Sequence, residues 1–94
     1  MIKLSPIQKA ILSILQDTSD NYWCEKIARK LKKAASNMNR SVSELMKPTN
    51  ERGALIKTRT TIGITKILEL TDEGKEVCEE ERIGSDTWEE IVGS

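Results

Sequence analysis

Apolar residues recur along this chain at two different spacings, helical in the first half and alternating after about residue 54. Near the N-terminus Ile7, Ile11, Ile14 and Leu15 fall at i, i+4, i+7 and i+8, a single stripe of the kind a half-buried helix presents. Ser5 is placed to cap that helix, with Pro6 at its first position. The turn-forming run "DTSDN" stops it, and "NYW" reads as a short strand. Trp23, Ile27, Leu31 and Ala35 line one face of a second helix, predicted from Cys24 to about Ala35. The polar run "ASNMN" breaks the pattern. A third helix is predicted to start at Ser41, where Ser41 and Glu44 have capping-box spacing, and to turn Val42, Leu45 and Met46 inward. Pro48 is expected to kink or break it, or to open a last turn "PTNER" closed by Gly53 as a helix C-terminal glycine.

Beyond Gly53 the spacing changes. "ALIKTRT" reads as a strand, "TIGIT" as a tight turn around Gly63, and "KILEL" as the return strand, with Ile67 alternating against Leu68 and Leu70. A hairpin this short is marginal alone and needs helices to lean on. Thr71 caps an acidic helix running to about Arg82, whose first turn holds Asp72 and Glu73 and whose buried positions are Val77 and Cys78. In the tail, Trp88, Ile91 and Val92 fall at i, i+3 and i+4 behind Asp86, a candidate cap.

The 94 residues are enough for one domain. Aromatic residues make up only 3%, so the core must be aliphatic. The formal net charge of zero hides a strong division. Residues 1–70 carry 13 Lys+Arg against 6 Asp+Glu, a net of +7, and residues 71–94 carry 2 against 9, a net of −7. The basic side chains are densest in residues 26–40, which hold six and no acid. Such asymmetry fits a surface for a polyanion and a separate acidic end.

Other chemistry is poorly supplied. Histidine is absent, which removes the commonest acid–base catalyst. Zinc-type spacing is lacking too, so no metal or other cofactor is expected. The five glycines are scattered and form no phosphate-cradling loop. The carboxylates of "CEEER" and "TWEEI" have no partner that would make an acid–base pair, and the chain is not expected to be an enzyme. Cys24 and Cys78 read as two small hydrophobes in a reducing compartment. No apolar run reaches membrane-span length and the N-terminus lacks a signal-peptide cleavage pattern, so a cytoplasmic location without membrane contact is expected.

The element order is helix, short strand, helix, helix, hairpin, helix. It resembles the winged helix-turn-helix family of DNA-binding domains, including the MarR-like regulators. The residues that carry the resemblance are "KIARKL" at 26–31, "VSELMK" at 42–47, "ERGALIKTR" at 51–59 and "GITKILELTDEGKE" at 63–76. It implies a mainly α fold with a small β-hairpin (α+β): a three-helix core, the hairpin as a wing, and a C-terminal helix. Residues 1–82 would form the winged helix domain. Residues 83–94 would form a tail, a short helix packing on the domain or at a dimer interface.

The resemblance also implies a double-stranded DNA partner and a regulatory role in transcription. The third helix would enter the major groove, where base edges carry a distinct donor–acceptor code. Asn39 and Arg40 are the sharpest candidates for base reading, since Asn pairs with adenine and Arg with guanine through two hydrogen bonds. Ser43 and Lys47 share the outward positions. Lys30, Lys32 and Lys33 would meet phosphates, which set affinity and position. On the wing, Arg59, Thr60, Thr61 and Lys66 would meet the backbone or minor groove, with Lys57 beside them. Many winged helices have a basic residue directly after the wing-tip glycine; here that residue is Ile64, which moves the expected contact to Arg59 and Lys66. A homodimer is expected through Trp88, Ile91 and Val92, or through the first helix. The alternative is a winged-helix protein-interaction module of a replication or transcription assembly, using Ile62, Ile64 and the acidic end.

Overall fold

The computed structural model describes residues 4–48 and 52–93. Helix α1 spans Pro6–Ile14. Its start is fixed by a reciprocal pair of bonds: the Gln8 backbone N–H donates to Ser5 Oγ (3.2 Å), and the Ser5 N–H donates to Gln8 Oε1 (3.0 Å). Beyond its amphipathic start this helix is buried on every side, with Ala10 to Leu15 all inside the core.

Helix α2 spans Cys24–Leu31 and helix α3 spans Ala35–Met46, which corrects the predicted division. The second helix does not reach Ala35, because Lys32 adopts the left-handed conformation at φ +57°. The Lys33 N–H then donates to the Ala28 carbonyl (2.9 Å) and the Lys32 N–H to the Arg29 carbonyl (3.2 Å), the paired bonds that close a helix end. Three residues on, α3 begins at Ala35 behind Ala34, with no side-chain cap. The run "ASNMN" is therefore helical, and Ser41 lies mid-helix rather than at a start. Met38, Val42 and Leu45 form the buried stripe of α3, with Met46 half-buried. Ala35 is exposed and does not extend the buried face of α2. Pro48 ends α3 as expected: Lys47, the residue before it, is the C-cap in an extended conformation (φ −91°, ψ 134°), because the proline ring disfavours a helical residue there. Gly53 is not its terminal glycine, since α3 ends seven residues earlier and Gly53 has no positive φ. The predicted turn "PTNER" falls largely outside the described residues.

Strands β1 (Ile56–Ile62) and β2 (Thr65–Leu70) pair antiparallel. Gly63 takes φ +62° at the first central position of a two-residue turn, where a non-glycine residue would be strained. Thr58 faces Leu68 while Thr60 faces Ile67, so Arg59 is the extra residue of a bulge. On the other side of β2, the Leu68 N–H donates to the Tyr22 carbonyl (2.8 Å), making the expected "NYW" strand a single bridge. Ile67 is buried as well as Leu68 and Leu70, so β2 hides both of its faces near its centre.

Thr71 caps helix α4 (Asp72–Glu80), accepting from the Gly74 N–H (3.0 Å) and donating to the Ala54 carbonyl (2.5 Å). This helix ends at Glu80, two residues earlier than predicted, and the chain then turns through Glu81 to a second left-handed residue, Arg82. Val77 and Cys78 are buried as expected. Helix α5 spans Thr87–Gly93 and packs against α1. Buried Ser13 joins them: its hydroxyl donates to the Gly84 carbonyl (2.6 Å) and accepts from the Trp88 N–H (2.9 Å). Asp86 contributes its backbone carbonyl to the Glu89 N–H (3.0 Å). Trp88, Ile91 and Val92 are half-buried against the aliphatic core. The described residues thus form an α+β fold of five helices and one hairpin. None of those helices is long and apolar enough to cross a membrane.

Candidate nucleic-acid interface

Helix α3 packs Met38, Val42 and Leu45 inward, and helical periodicity then fixes what faces out. Ser36, Arg40, Ser43 and Lys47 make the opposite row, and all four are exposed. Three of the sequence-predicted contacts, Arg40, Ser43 and Lys47, therefore stand in one line. Ser36 is a fourth position not expected from the sequence, because the polar run "ASNMN" around it reads as a break between helices. The signal was present, since Met38 already has the spacing i, i+4, i+7 with Val42 and Leu45.

Asn39 does not share that row. It lies on the flank of α3 toward α2, where its Oδ1 accepts from the Cys24 thiol (2.8 Å). Partial burial, with Glu25 nearby, pushes the Cys24 thiol up from its ordinary pKa, so it stays protonated and able to donate. Both residues line a groove of about 350 Å³ between α2, α3 and the hairpin, together with Trp23, Val42, Met46 and Lys66. Reading a base with Asn39 would require releasing Cys24.

Arg40 is 86% exposed and its Nε lies 3.4 Å from a Glu44 carboxylate oxygen. Glu44 also accepts from Gln8 Nε2 (3.0 Å), which ties α3 to the start of α1. Glu44 therefore does not cap the third helix. It is an acid on the flank of an otherwise neutral-to-basic outer face.

The basic run at residues 26–40 divides into two sets. Lys32 and Lys33 are exposed in the turn between α2 and α3, beside the start of the outward row. Lys30 is turned away to the other side of α2. Its ammonium lies over the Trp88 ring (4.6 Å to the centroid) and donates to the Tyr22 hydroxyl (3.4 Å), a position that holds α5 to α2 by cation–π attraction. Lys26 is likewise engaged, with Asp20 (2.6 Å) and the Tyr22 and Trp23 rings.

On the hairpin, Thr60, Thr61 and Lys66 are exposed, and Thr61 faces Lys66 across the strands. Lys66 shares a face with Leu68, and both line the groove beside α3. Arg59 reaches instead toward segment 21–23, where its guanidinium donates to Asn21 Oδ1. Lys57 pairs with Glu69 directly opposite (3.5 Å). The structure thus gathers Lys32, Lys33, Arg40, Ser43, Lys47, Thr61 and Lys66 around α3, and separates Lys30 and Arg59 from them. Among the described residues no cluster of side chains has the composition of a metal site. Comparison with protein-family models, with curated proteins and with solved structures finds no match.

Proposed function

We propose that the chain is a winged helix-turn-helix DNA-binding protein, most simply a small cytoplasmic regulator of transcription acting on double-stranded DNA. The supporting observation is the row Ser36, Arg40 and Ser43, continued by Lys47 at the C-cap, on a helix that follows α2 after only three residues. A short turn of this kind lets one helix brace the backbone while the next lies in the major groove. In this reading α3 is the recognition helix. Lys32 and Lys33 contact phosphates, and the hairpin is the wing, with Thr61 and Lys66 toward the duplex. A symmetric dimer would use the outer sides of Trp88, Ile91 and Val92, since the second half of α1 is occupied within its own chain.

The acidic surface of α4 and α5 favours a second reading. Glu76, Glu79, Glu80, Glu81, Glu89 and Glu90 are all exposed, and such a surface fits a winged-helix module that docks a basic protein. Mapping backbone amide NMR shifts during titration with duplex DNA separates the two. The DNA reading expects shifts concentrated on residues 32–47 and 60–66. Absence of shifts there would overturn it.

A further inference from the structure

Ile62 is 63% exposed and Ile64 is 100% exposed, the large apolar side chains that stand out among the described residues. They flank Gly63 at the end of the hairpin. Side chains in this position bury little within the chain, so they contribute almost nothing to the core that stabilises the fold.

Their surroundings indicate the partner. From Gly53 to Leu68 the chain contains no Asp or Glu, while it carries Lys57, Arg59 and Lys66. Exposed threonines 60 and 61 add hydroxyl donors beside the tip. Glu69, the acid of the ribbon, sits at its base opposite Lys57. The apolar end thus projects from an acid-free, cationic tip half, which matches a polyanion that offers an apolar slot. Duplex DNA offers one in its minor groove, where phosphates line the walls and a parted base step exposes its stacking faces. Isoleucine is among the side chains that act as such wedges.

The geometry agrees. The hairpin is paired up to Ile62 and Thr65, and the two-residue turn at Gly63 keeps its tip narrow. Ile64, Thr65 and Lys66 line the same groove as Asn39, Ser43 and Met46 of α3. Ser43, which belongs to the outer row of α3, thus shares the groove with Ile64, and a duplex seated on that row would lie beside the tip.

We propose that Ile62 and Ile64 form an apolar wedge that enters the minor groove of duplex DNA, unstacks a base step and bends the duplex. This rests on the DNA-binding reading above. It adds a deformation step that a basic wing tip does not supply. Because unstacking costs free energy, the wedge favours a duplex in which that cost is already met, as at a mismatch.

The test uses a duplex of random sequence labelled with donor and acceptor dyes at its ends, and the same duplex with a central two-base mismatch. The full chain is compared with the double variant Ile62→Ser, Ile64→Ser, whose matching thermal melt verifies its fold. The full chain should raise energy transfer on binding and favour the mismatched duplex by about tenfold. The double variant should bind the intact duplex within about threefold of the full chain, without the rise in transfer and without the preference. Binding by the full chain with no change in transfer would overturn the wedge alone, as would equal bending by the double variant. Loss of self-association in the double variant, with bending unchanged, would overturn it in favour of a contact between copies. No binding to either duplex at low salt would overturn the wedge and the DNA reading together.

Discussion

Arg40 and Glu44 lie one helical turn apart on the outer side of α3 and form an ion pair, Nε to carboxylate oxygen at 3.4 Å. The pair holds the exposed cation of the proposed recognition helix to an acid on the flank of its outer face. An exposed pair of this kind is weak, about 0.3–0.5 kcal/mol, so DNA can displace it. Glu44→Gln should therefore tighten binding to any duplex by roughly two- to fivefold, by removing one repelling charge and freeing Arg40. Arg40→Ala should weaken binding to a selected site by about 1–3 kcal/mol and binding to random duplex much less. Anisotropy titrations on both duplexes measure the two effects, and equal losses for Arg40→Ala would make Arg40 a phosphate contact.

Lys32 combines an observed left-handed backbone with a proposed phosphate contact. Its left-handed backbone, φ +57°, is strained for a residue with a side chain. Lys32→Gly should raise stability by about 1 kcal/mol or less, the relief being offset by a more flexible unfolded chain. The same change removes the proposed phosphate contact, so DNA affinity should fall on all sequences and the dependence on salt should flatten. Lys30→Met should do the reverse: it should loosen α5 and leave the salt dependence unchanged. Denaturant melts paired with salt titrations read both variants.

Gly74 gives a prediction of unusual sign. Glycine inside a helix is ordinarily less stable than alanine by roughly 1 kcal/mol. A Cβ at Gly74, however, would lie 2.1 Å from the Leu55 carbonyl oxygen, a backbone atom that also accepts from the Thr71 N–H. Gly74→Ala should therefore destabilise the fold by more than about 2 kcal/mol, through overpacking of the α4–hairpin junction. Urea unfolding is the check, and a stabilised variant would contradict this packing.

The Arg52–Glu80 pair predicts how stability responds to acid. The hydrogen bond from the Arg52 guanidinium, reinforced by its charge, holds the Glu80 carboxyl below the ordinary carboxylate range. A depressed folded-state pKa contributes stability above the unfolded value, and that contribution disappears as pH falls through the folded value. Arg52→Met should lower Tm at neutral pH, and the difference from the parent chain should shrink across the acidic range. Glu80 is exposed and Arg52 half-buried, so high salt should also reduce it in part. A Tm difference independent of pH would show that Arg52 acts by packing alone.

The parts of the fold that could be read from the sequence are those with a local signal. Ser5 and Pro6 mark the start of α1, Gly63 marks the hairpin turn, and Thr71 marks α4. The division between α2 and α3 is not legible in the sequence, for physical reasons. Its left-handed residue is a lysine, its helix start is an uncapped alanine, and Ser41 with Glu44 imitates a cap within the helix. Arg40, Ser43 and Lys47 were found because helical spacing alone turns them outward. The capture of Lys30 by Trp88 and of Asn39 by Cys24 depends on tertiary packing, which no local pattern carries. The spacing of Glu44 points to its own helix start, whereas its partners are Gln8 of α1 and Arg40.

The most direct test of the central claim is fluorescence anisotropy of a labelled duplex of random sequence, titrated with the chain at two salt concentrations. If about five basic side chains meet phosphates, log K should fall with log salt at a slope near −4 to −5, from micromolar binding at low salt. Absence of binding at low salt, or binding indifferent to salt, would contradict the account and leave the acidic surface of α4 and α5 as the place to seek a partner.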